Sequence, residues 1–417
     1  MSNMCKRKNY TAWCQECATS YFKKNFTKWT SGNRKIDETQ TNSKILEDFI
    51  EWIPYEQLED IKKVSYGGFG TIYSAYWTQG PLYMDLIGFK RVGRIHVALK
   101  SGISSEHLEE LQMHIKCCTK LNSYSYNAHG KNGSSPIIRC YGLTKCHKSK
   151  NDKEYMLVIQ FAENSDLRKY LSKNFYQMRW LEDKMSILAN IANGLKIIHN
   201  EGLTHLDLHC GNILIDNDRS CVSDFGLSRP FDHKDSTTCK QIFGVVPFIA
   251  PEIFENKLFS PKSDVYSFGI IMWIFTSGIL PFHNRKYNEE LATEIYYGAR
   301  PQIIHGTPPC FVDLMQRCWD PKPEKRPTSS EIYDTICSWY YLKNYKEFRA
   351  FDKILLSQNK QDIENQVVQS TPNSSRRNNS YHSCIIDNSY HSCRIDLRRI
   401  STFSRVQDSD QVNLEIP

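Results

Sequence analysis

The run from Leu203 to Ile215 (Leu-Thr-His-Leu-Asp-Leu-His-Cys-Gly-Asn-Ile-Leu-Ile) constrains this chain more than any other stretch. Its close, Ile213-Leu-Ile215, is apolar and strand-forming, so the run reads as a loop entering a strand. The loop carries Asp207 and, five residues on, Asn212. Asp224-Phe225-Gly226 follows seventeen residues after Asp207. The side-chain oxygens of Asn212 and Asp224 are of the kind that hard cations take as ligands.

Upstream lies a second signal, Val64-Ser65-Tyr66-Gly67-Gly68-Phe69-Gly70-Thr71-Ile72. Thr71 to Trp77 is rich in β-branched and aromatic residues, so the glycine run joins two strands. A dinucleotide fold or a Walker loop would enter a helix at this point. A glycine hairpin lets backbone N–H groups approach phosphates with no Cβ in the way. Residues 78–94 read as a further hairpin, and His96-Val-Ala98-Leu-Lys100 as a strand with a lysine at its end. A helix is expected over residues 106–115, with Leu108, Leu111 and Ile115 on one face and Glu109 and Glu110 both offering a carboxylate. Residues 122–135 are a polar insertion, and residues 136–144 and 155–161 read as strands. Apolar residues at 188, 191, 192, 195 and 198 mark a core-packed helix over residues 185–199.

Three later motifs follow in order: Ala250-Pro251-Glu252, Lys262-Ser-Asp264-Val-Tyr-Ser-Phe-Gly269, and Cys318-Trp-Asp-Pro-Lys-Pro-Glu-Lys-Arg326. With Lys100, Asp207, Asn212 and Asp224 they make the chain resemble the protein kinase family across residues 58–342. The nearest group is the tyrosine-kinase-like kinases, in a form similar to the lineage-expanded kinases of some fungi. The resemblance implies an α+β bilobal kinase fold, with a small β-rich N-lobe and a larger α-helical C-lobe. It also implies ATP as phosphoryl donor, Mg2+ as its cation and a protein hydroxyl as acceptor. By the same resemblance Val64, Ser65, Tyr66, Gly67, Gly68, Phe69, Gly70, Thr71 and Ile72 cover the nucleotide, with Ser65 where the family has its first glycine. Ala98 and Lys100 contact the nucleotide from their strand, Lys100 on its α- and β-phosphates, and alignment makes Glu110 the brace of Lys100. Ile159 is the gatekeeper, and Gln160 to Ala162 form the hinge that takes the adenine edge. Asn212 and Asp224 hold the metal, and Asp207 orients the acceptor hydroxyl and takes its proton. Asp264 accepts hydrogen bonds from the catalytic-loop backbone, and Arg326 pairs with Glu252. The segment from Asp224 to Glu252, with Ser228, Ser236, Thr237 and Thr238, matches an activation segment.

The acceptor type is less sharply written. His209-Cys-Gly stands before Asn212, where Ser/Thr kinases have a Lys two residues after the catalytic Asp and tyrosine kinases have Ala-Ala-Arg. Val245 stands where Ser/Thr kinases have Thr, and Pro247 where tyrosine kinases have Lys. Group resemblance favours serine/threonine. A different class, a nucleotide-binding scaffold with little turnover, draws on Ser65, Leu206, Val245 and the short gap from Lys100 to Glu110. Leu206 replaces the arginine that in many kinases receives an activation-segment phosphate.

At its two ends the chain changes character. Residues 1–50 form a polar and aromatic leader in which Cys14-Gln-Glu-Cys17 has half of a zinc-ribbon spacing. No second pair follows nearby and the first histidine is His96, so free thiols are the expectation. Ser2 after Met1 and the absence of an apolar start or a prenylation box point to an unanchored cytoplasmic protein with reduced cysteines. The most apolar stretch, residues 268–282, contains Thr276, Ser277 and Gly278 and is too short to span a bilayer, so it reads as a buried helix. The net charge of +7 comes from dispersed Lys and Arg, a solvated surface rather than a nucleic-acid face. From residue 357 to 417, Gln, Asn, Ser, Arg and Asp dominate, and no fixed structure is expected there. Asn379-Ser-Tyr-His-Ser-Cys384 and Asn388-Ser-Tyr-His-Ser-Cys393 repeat within it.

Overall fold

The computed structural model describes residues 51–67, 70–85, 88–104, 109–118, 135–145, 154–217, 219–230, 241–255, 259–341, 344–357 and 393–396. Contacts divide the chain into two units, Met1–Glu163 and Asn164–Pro417.

In the first unit, strand alternation builds two apolar layers. Eight strands are described: β1 (Glu51–Trp52), β2 (Leu58–Gly67), β3 (Gly70–Trp77), β4 (Leu82–Asp85), β5 (Gly88–Arg91), β6 (Ile95–Ser104), β7 (Cys140–Lys145) and β8 (Glu154–Gln160). Six of them form one sheet in the order β1-β7-β8-β6-β3-β2, and β4 and β5 form the expected separate hairpin. Val97 and Leu99 pack with Trp77, Tyr141 and Val158 in one cluster. Ala98 packs with Leu143, Leu157, Ile159 and Leu111 in the other. Successive side chains of a strand point to opposite faces, so Lys100 shares the Ala98 face, against which helix α1 (Glu109–Cys118) lays Leu111.

Two features of this unit depart from the sequence expectation. Helix α1 is described over Glu109–Cys118 rather than 106–115, and residues 106–108 lie outside the described residues. The two-residue strand β1 pairs in parallel with β7, through Glu51↔Gly142 and Trp52↔Leu143. Glu51 is buried, and Arg91 Nη1 donates to its Oε2 at 2.5 Å while Leu82 N donates to Oε1 at 3.3 Å. Desolvation pushes this carboxyl above its ordinary range, and Arg91 opposes the shift.

The second unit is helical, with helices α2 (Leu167–Asn174), α3 (Met185–Asn200), α4 (Pro251–Phe254), α5 (Pro261–Ser277), α6 (Glu289–Tyr296), α7 (Pro309–Cys318), α8 (Ser329–Tyr341) and α9 (Asn344–Ser357). Its axis is α5, which is buried from Ser263 to Ser277. A reciprocal capping box between Ser260 and Ser263 starts it, and Gly278, left-handed at φ 70°, ends it. Of the buried helix expected over 268–282, residues 268–277 form the second half of α5, and the helix stops there because Gly278 turns left-handed; no described helix is long and apolar enough to cross a membrane. Helix α3 covers the predicted stripe and buries Leu188, Ile191, Ala192, Leu195 and Ile198.

Six short strands pair in this unit: β9 (Leu203–Thr204) with β12 (Arg229–Pro230), β10 (Ile213–Asp216) with β11 (Arg219–Val222), and β13 (Gln241–Gly244) with β14 (Cys393–Asp396). Strand β14 falls inside the stretch for which composition predicts no fixed structure. There the structure differs, because the exposed edge of β13 supplies a ladder of backbone partners that the tail's own composition does not. The leader with Cys14 and Cys17, the first Tyr-His-Ser-Cys copy, and Ser236, Thr237 and Thr238 all lie outside the described residues.

Candidate active site

In the first unit the glycine run is a hairpin between β2 and β3, with Ser65 opposite Ile72, Tyr66 opposite Thr71 and Gly67 opposite Gly70. Gly68 and Phe69 lie outside the described residues. Val64 is exposed and Thr71 is half-buried. Gly70 sits at φ 141°, and a Cβ there would meet Ser101 O at 2.1 Å, so glycine lets the loop lie directly on β6. Ser101 Oγ fastens the same point, accepting from Thr71 N and donating to Thr71 O, each at 3.2 Å.

Lys100 is 5% exposed and pairs across the sheet with Ile72 and Leu157. Lysines are almost never so buried without a charged or polar partner. Glu110 belongs to helix α1, and its side chain lies outside the described residues. Ala98 pairs with Ile159, which is buried, and Gln160 N donates to Arg139 O at 2.8 Å. Ala162, half-buried, leads from this strand to the end of the first unit.

In the second unit three sequence-predicted residues come together. Asn212 Nδ2 donates to Asp207 O at 2.8 Å and to Asp207 Oδ2 at 3.1 Å. Ser223 donates to Asn212 O through both its N and its Oγ, each at 2.9 Å, which holds the adjacent Asp224 beside the loop. Asp224 adopts φ 64°, a left-handed conformation that Asp tolerates, and its Oδ1 accepts from Gly226 N at 3.2 Å.

The loop itself hangs on Asp264 at the buried start of α5. Its Oδ2 accepts from His205 N at 2.8 Å and its Oδ1 from Leu206 N at 2.9 Å, as expected. His199 Nε2 lies 2.9 Å from the same Oδ2, and His199 Nδ1 lies 3.0 Å from Ser329 Oγ. His205 Nε2 donates to Ser223 O at 2.9 Å, leaving Nδ1 to accept from Asp207 N at 3.3 Å. Every residue from 205 to 207 is therefore tied down, and Leu206 is held at φ 69°, costly for a leucine, by surrounding bonds.

Sequence reasoning left one residue of this site without a role. His209 Nδ1 accepts from Gly211 N at 3.0 Å, so the ring proton sits on Nε2, which lies 3.6 Å from Asp207 Oδ2. Its position two residues after Asp207 was the available signal.

The donor set fits a hard cation bound with a phosphate chain. Asn212 spends its amide N–H groups on Asp207, which leaves its amide oxygen, together with the Asp224 carboxylate, as ligand atoms. Among the described residues no three His, Cys, Asp or Glu side chains gather into a cage, and Mg2+ held by one or two protein oxygens plus phosphates needs none.

A second predicted pair completes the frame. Arg326 meets Glu252 in a bidentate bridge, Nη1 to Oε1 at 2.7 Å and Nη2 to Oε2 at 2.8 Å. Both are buried, and Arg326 also donates to Asp320 O and Lys262 O.

Residues 58–336 match the family model for the protein tyrosine and serine/threonine kinases. Among similar proteins, tyrosine-protein kinase TXK of Homo sapiens is 30% identical over 296 residues, 69% of this chain and 49% of that protein. Serine/threonine/tyrosine-protein kinase HT1 of Arabidopsis thaliana is 30% identical over 187 residues, 44% of this chain and 47% of that protein. Inactive tyrosine-protein kinase 7 of Mus musculus is 31% identical over 217 residues, 50% of this chain and 20% of that protein. The chain spans half or less of the length of each of these relatives. A glycine hairpin on a β-sheet unit, a helical unit whose loop holds Asp207 and Asn212, and a family match across both place this chain in the protein kinase family, with its bilobal α+β fold.

Proposed function

We propose that this chain transfers the γ-phosphoryl group of ATP to serine or threonine hydroxyls of proteins, as a signalling enzyme of the cytoplasm. The observation that carries the reading is the bond from Asn212 Nδ2 to Asp207 Oδ2, which fixes the orientation of the carboxylate in the loop. Asp207 orients the acceptor hydroxyl and takes its proton as the oxygen attacks phosphorus. Lys100 positions the α- and β-phosphates, and the glycine hairpin supplies backbone N–H groups over them. Asn212 and Asp224 are the residues that would hold Mg2+, which would offset charge developing on the phosphoryl oxygens. Positioning and electrostatics supply the rate, with no covalent intermediate on the protein.

His209 supports serine/threonine over tyrosine. It places a ring N–H beside Asp207 at the position where Ser/Thr kinases carry a Lys. The test is transfer from γ-labelled ATP to a mixed protein substrate, followed by acid hydrolysis and separation of the phosphoamino acids. Label in phosphoserine and phosphothreonine is expected. Label confined to phosphotyrosine would overturn the acceptor assignment, and Mg-ATP binding without transfer would favour a scaffold.

A further inference from the structure

On the Ala98 face of the first unit, two neighbouring rows of side chains run across the sheet. In the first row Ala98 stands opposite Ser74 on one side and Ile159 on the other. The next row lies two residues along each strand, about 7 Å away. It places Tyr76 opposite His96, and Phe161, which follows Gln160 as β8 ends, continues it. Strand β6 lies between β3 and β8 in the sheet, so His96 is the middle member. Its ring stacks on Tyr76 with centroids 4.7 Å apart and planes 14° apart, and on Phe161 at 3.8 Å and 25°. Neighbouring strands are spaced by about 4.8 Å, which lets rings on directly paired residues lie face to face.

The two rows differ in size. Ser74 and Ala98 are small, whereas the second row is three rings, so the face dips at Ser74 and Ala98 and is walled on one side by the stack. His96 also holds the chain beyond β8 at a second point, because its Nδ1 lies 3.0 Å from Glu163 Oε1. One side chain thus fastens the residues on both sides of Ala162, while Gln160 is held through its backbone bond to Arg139 O. At the other end of the row the Arg94 guanidinium lies 3.8 Å from the Tyr76 ring centroid and donates to Asp60 Oδ2 at 3.2 Å. The side chains of Arg94, Asp60 and Glu163 are each at least half exposed, so these charge pairs add little and the ring contacts carry the hold.

We propose that His96 is a positioning residue for the nucleobase: sandwiched between Tyr76 and Phe161, it fixes residues 160–163 so that their backbone is already formed to take the adenine edge. This rests on the phosphotransfer function proposed above. A segment held before the base arrives costs no ordering when the base binds, and that saving appears as affinity. His96 lies four residues from Lys100, about 13 Å along β6, so its effect falls on the base and not on the phosphates.

The experiment uses the full chain as wild type, His96→Ala and His96→Phe. Affinities for Mg-ATP and Mg-GTP are measured by displacement of a fluorescent ATP analogue, together with KM for ATP, kcat and the melting temperature without ligand. His96→Ala is expected to weaken Mg-ATP binding and raise KM by about tenfold, with kcat at saturating ATP within about twofold of wild type. Mg-GTP affinity is expected to change by less than about threefold, so the preference for adenine narrows. His96→Phe keeps a flat ring between Tyr76 and Phe161 and is expected to restore Mg-ATP affinity to within about threefold of wild type. Equal Mg-ATP affinity in wild type and His96→Ala would overturn this proposal and leave the phosphotransfer function standing. An equal loss for both nucleotides with a lowered melting temperature, or a His96→Phe as weak as His96→Ala, would also overturn it. No binding of Mg-ATP by wild type would overturn both.

Discussion

Asp264 carries more of the catalytic loop than any other side chain, though it touches no reacting group. Its carboxylate faces His205 N, Leu206 N and His199 Nε2 at 2.8 to 2.9 Å, and it is 1% exposed. Asp264→Asn replaces one acceptor oxygen by a donor facing a donor, and an unsatisfied buried group of this kind costs about 1–3 kcal/mol. We expect a lower melting temperature and a transfer rate reduced by about tenfold or more, since Leu206 then loses what holds its left-handed backbone. A rate equal to wild type in a well-folded Asp264→Asn would show that the loop is positioned by something else. His209 makes the complementary case, because it acts at Asp207 itself. His209→Ala should lower kcat by about tenfold with little change in melting temperature, and His209→Lys should recover most of the loss. Equal kcat in His209→Ala and wild type would remove His209 from the site. Motif spacing made Asp207, Asn212, Asp224 and Asp264 legible in the sequence, since each is a fixed residue type at a fixed interval. The role of His209 was hidden because its type departs from both family patterns, and only the Gly211 contact fixes which ring nitrogen faces Asp207.

At the scale of elements, the alternating and helical stripes predicted β3, β6, β8 and α3 well, because burial on one face writes a period into the sequence. Short or aperiodic pieces escaped. A two-residue strand such as β1 has no period to read, and β14 lies in a polar tail whose only apolar anchor in the ladder is Ile395. The wide turn Trp180–Lys184 was likewise unread, although it joins α9 to the helical unit. There Asp352 Oδ1 accepts from Trp180 N at 2.7 Å, and the rings of Phe348, Trp339, Phe311 and Trp180 meet one another in tilted and edge-on contacts. The domain thus packs as far as α9, past the expected end at residue 342. Lys184, buried in this cluster, donates to Phe275 O at 3.0 Å and lies over the rings of Phe175 and Trp180. Burial pushes its ammonium down from 10.5 to about 7, against the pull of Asp352. The folded chain thus releases a proton that the unfolded chain keeps, so this group's contribution makes stability rise with pH from about 7 towards 10. The melting temperature of wild type minus that of Lys184→Met should climb between pH 7 and 9, and a flat difference would contradict the burial account.

Across the whole molecule, Asp207, Asn212, Asp224 and Glu252 are set by the buried helix α5, the loop that follows α3, and the Arg326 bridge. The Arg326–Glu252 bridge is bidentate and dry, so removing one partner strands the other. Glu252→Gln should cost about 3–5 kcal/mol in urea unfolding, and a cost under about 1 kcal/mol would show the pair to be solvent-screened. The fold class was legible because the motifs recur in order along the chain, each marking a separate element. The pairing of Cys393–Asp396 was not, because strand addition depends on an edge that exists only after the kinase domain folds. The account as a whole rests on Asp207 acting as the base of a phosphoryl transfer, and one measurement reaches that directly: single-turnover transfer from γ-labelled Mg-ATP by wild type and Asp207→Asn, with nucleotide affinity measured in parallel. We expect Asp207→Asn to bind Mg-ATP about as well as wild type and to transfer at least about a hundredfold more slowly. Equal transfer rates in the two proteins would contradict the account.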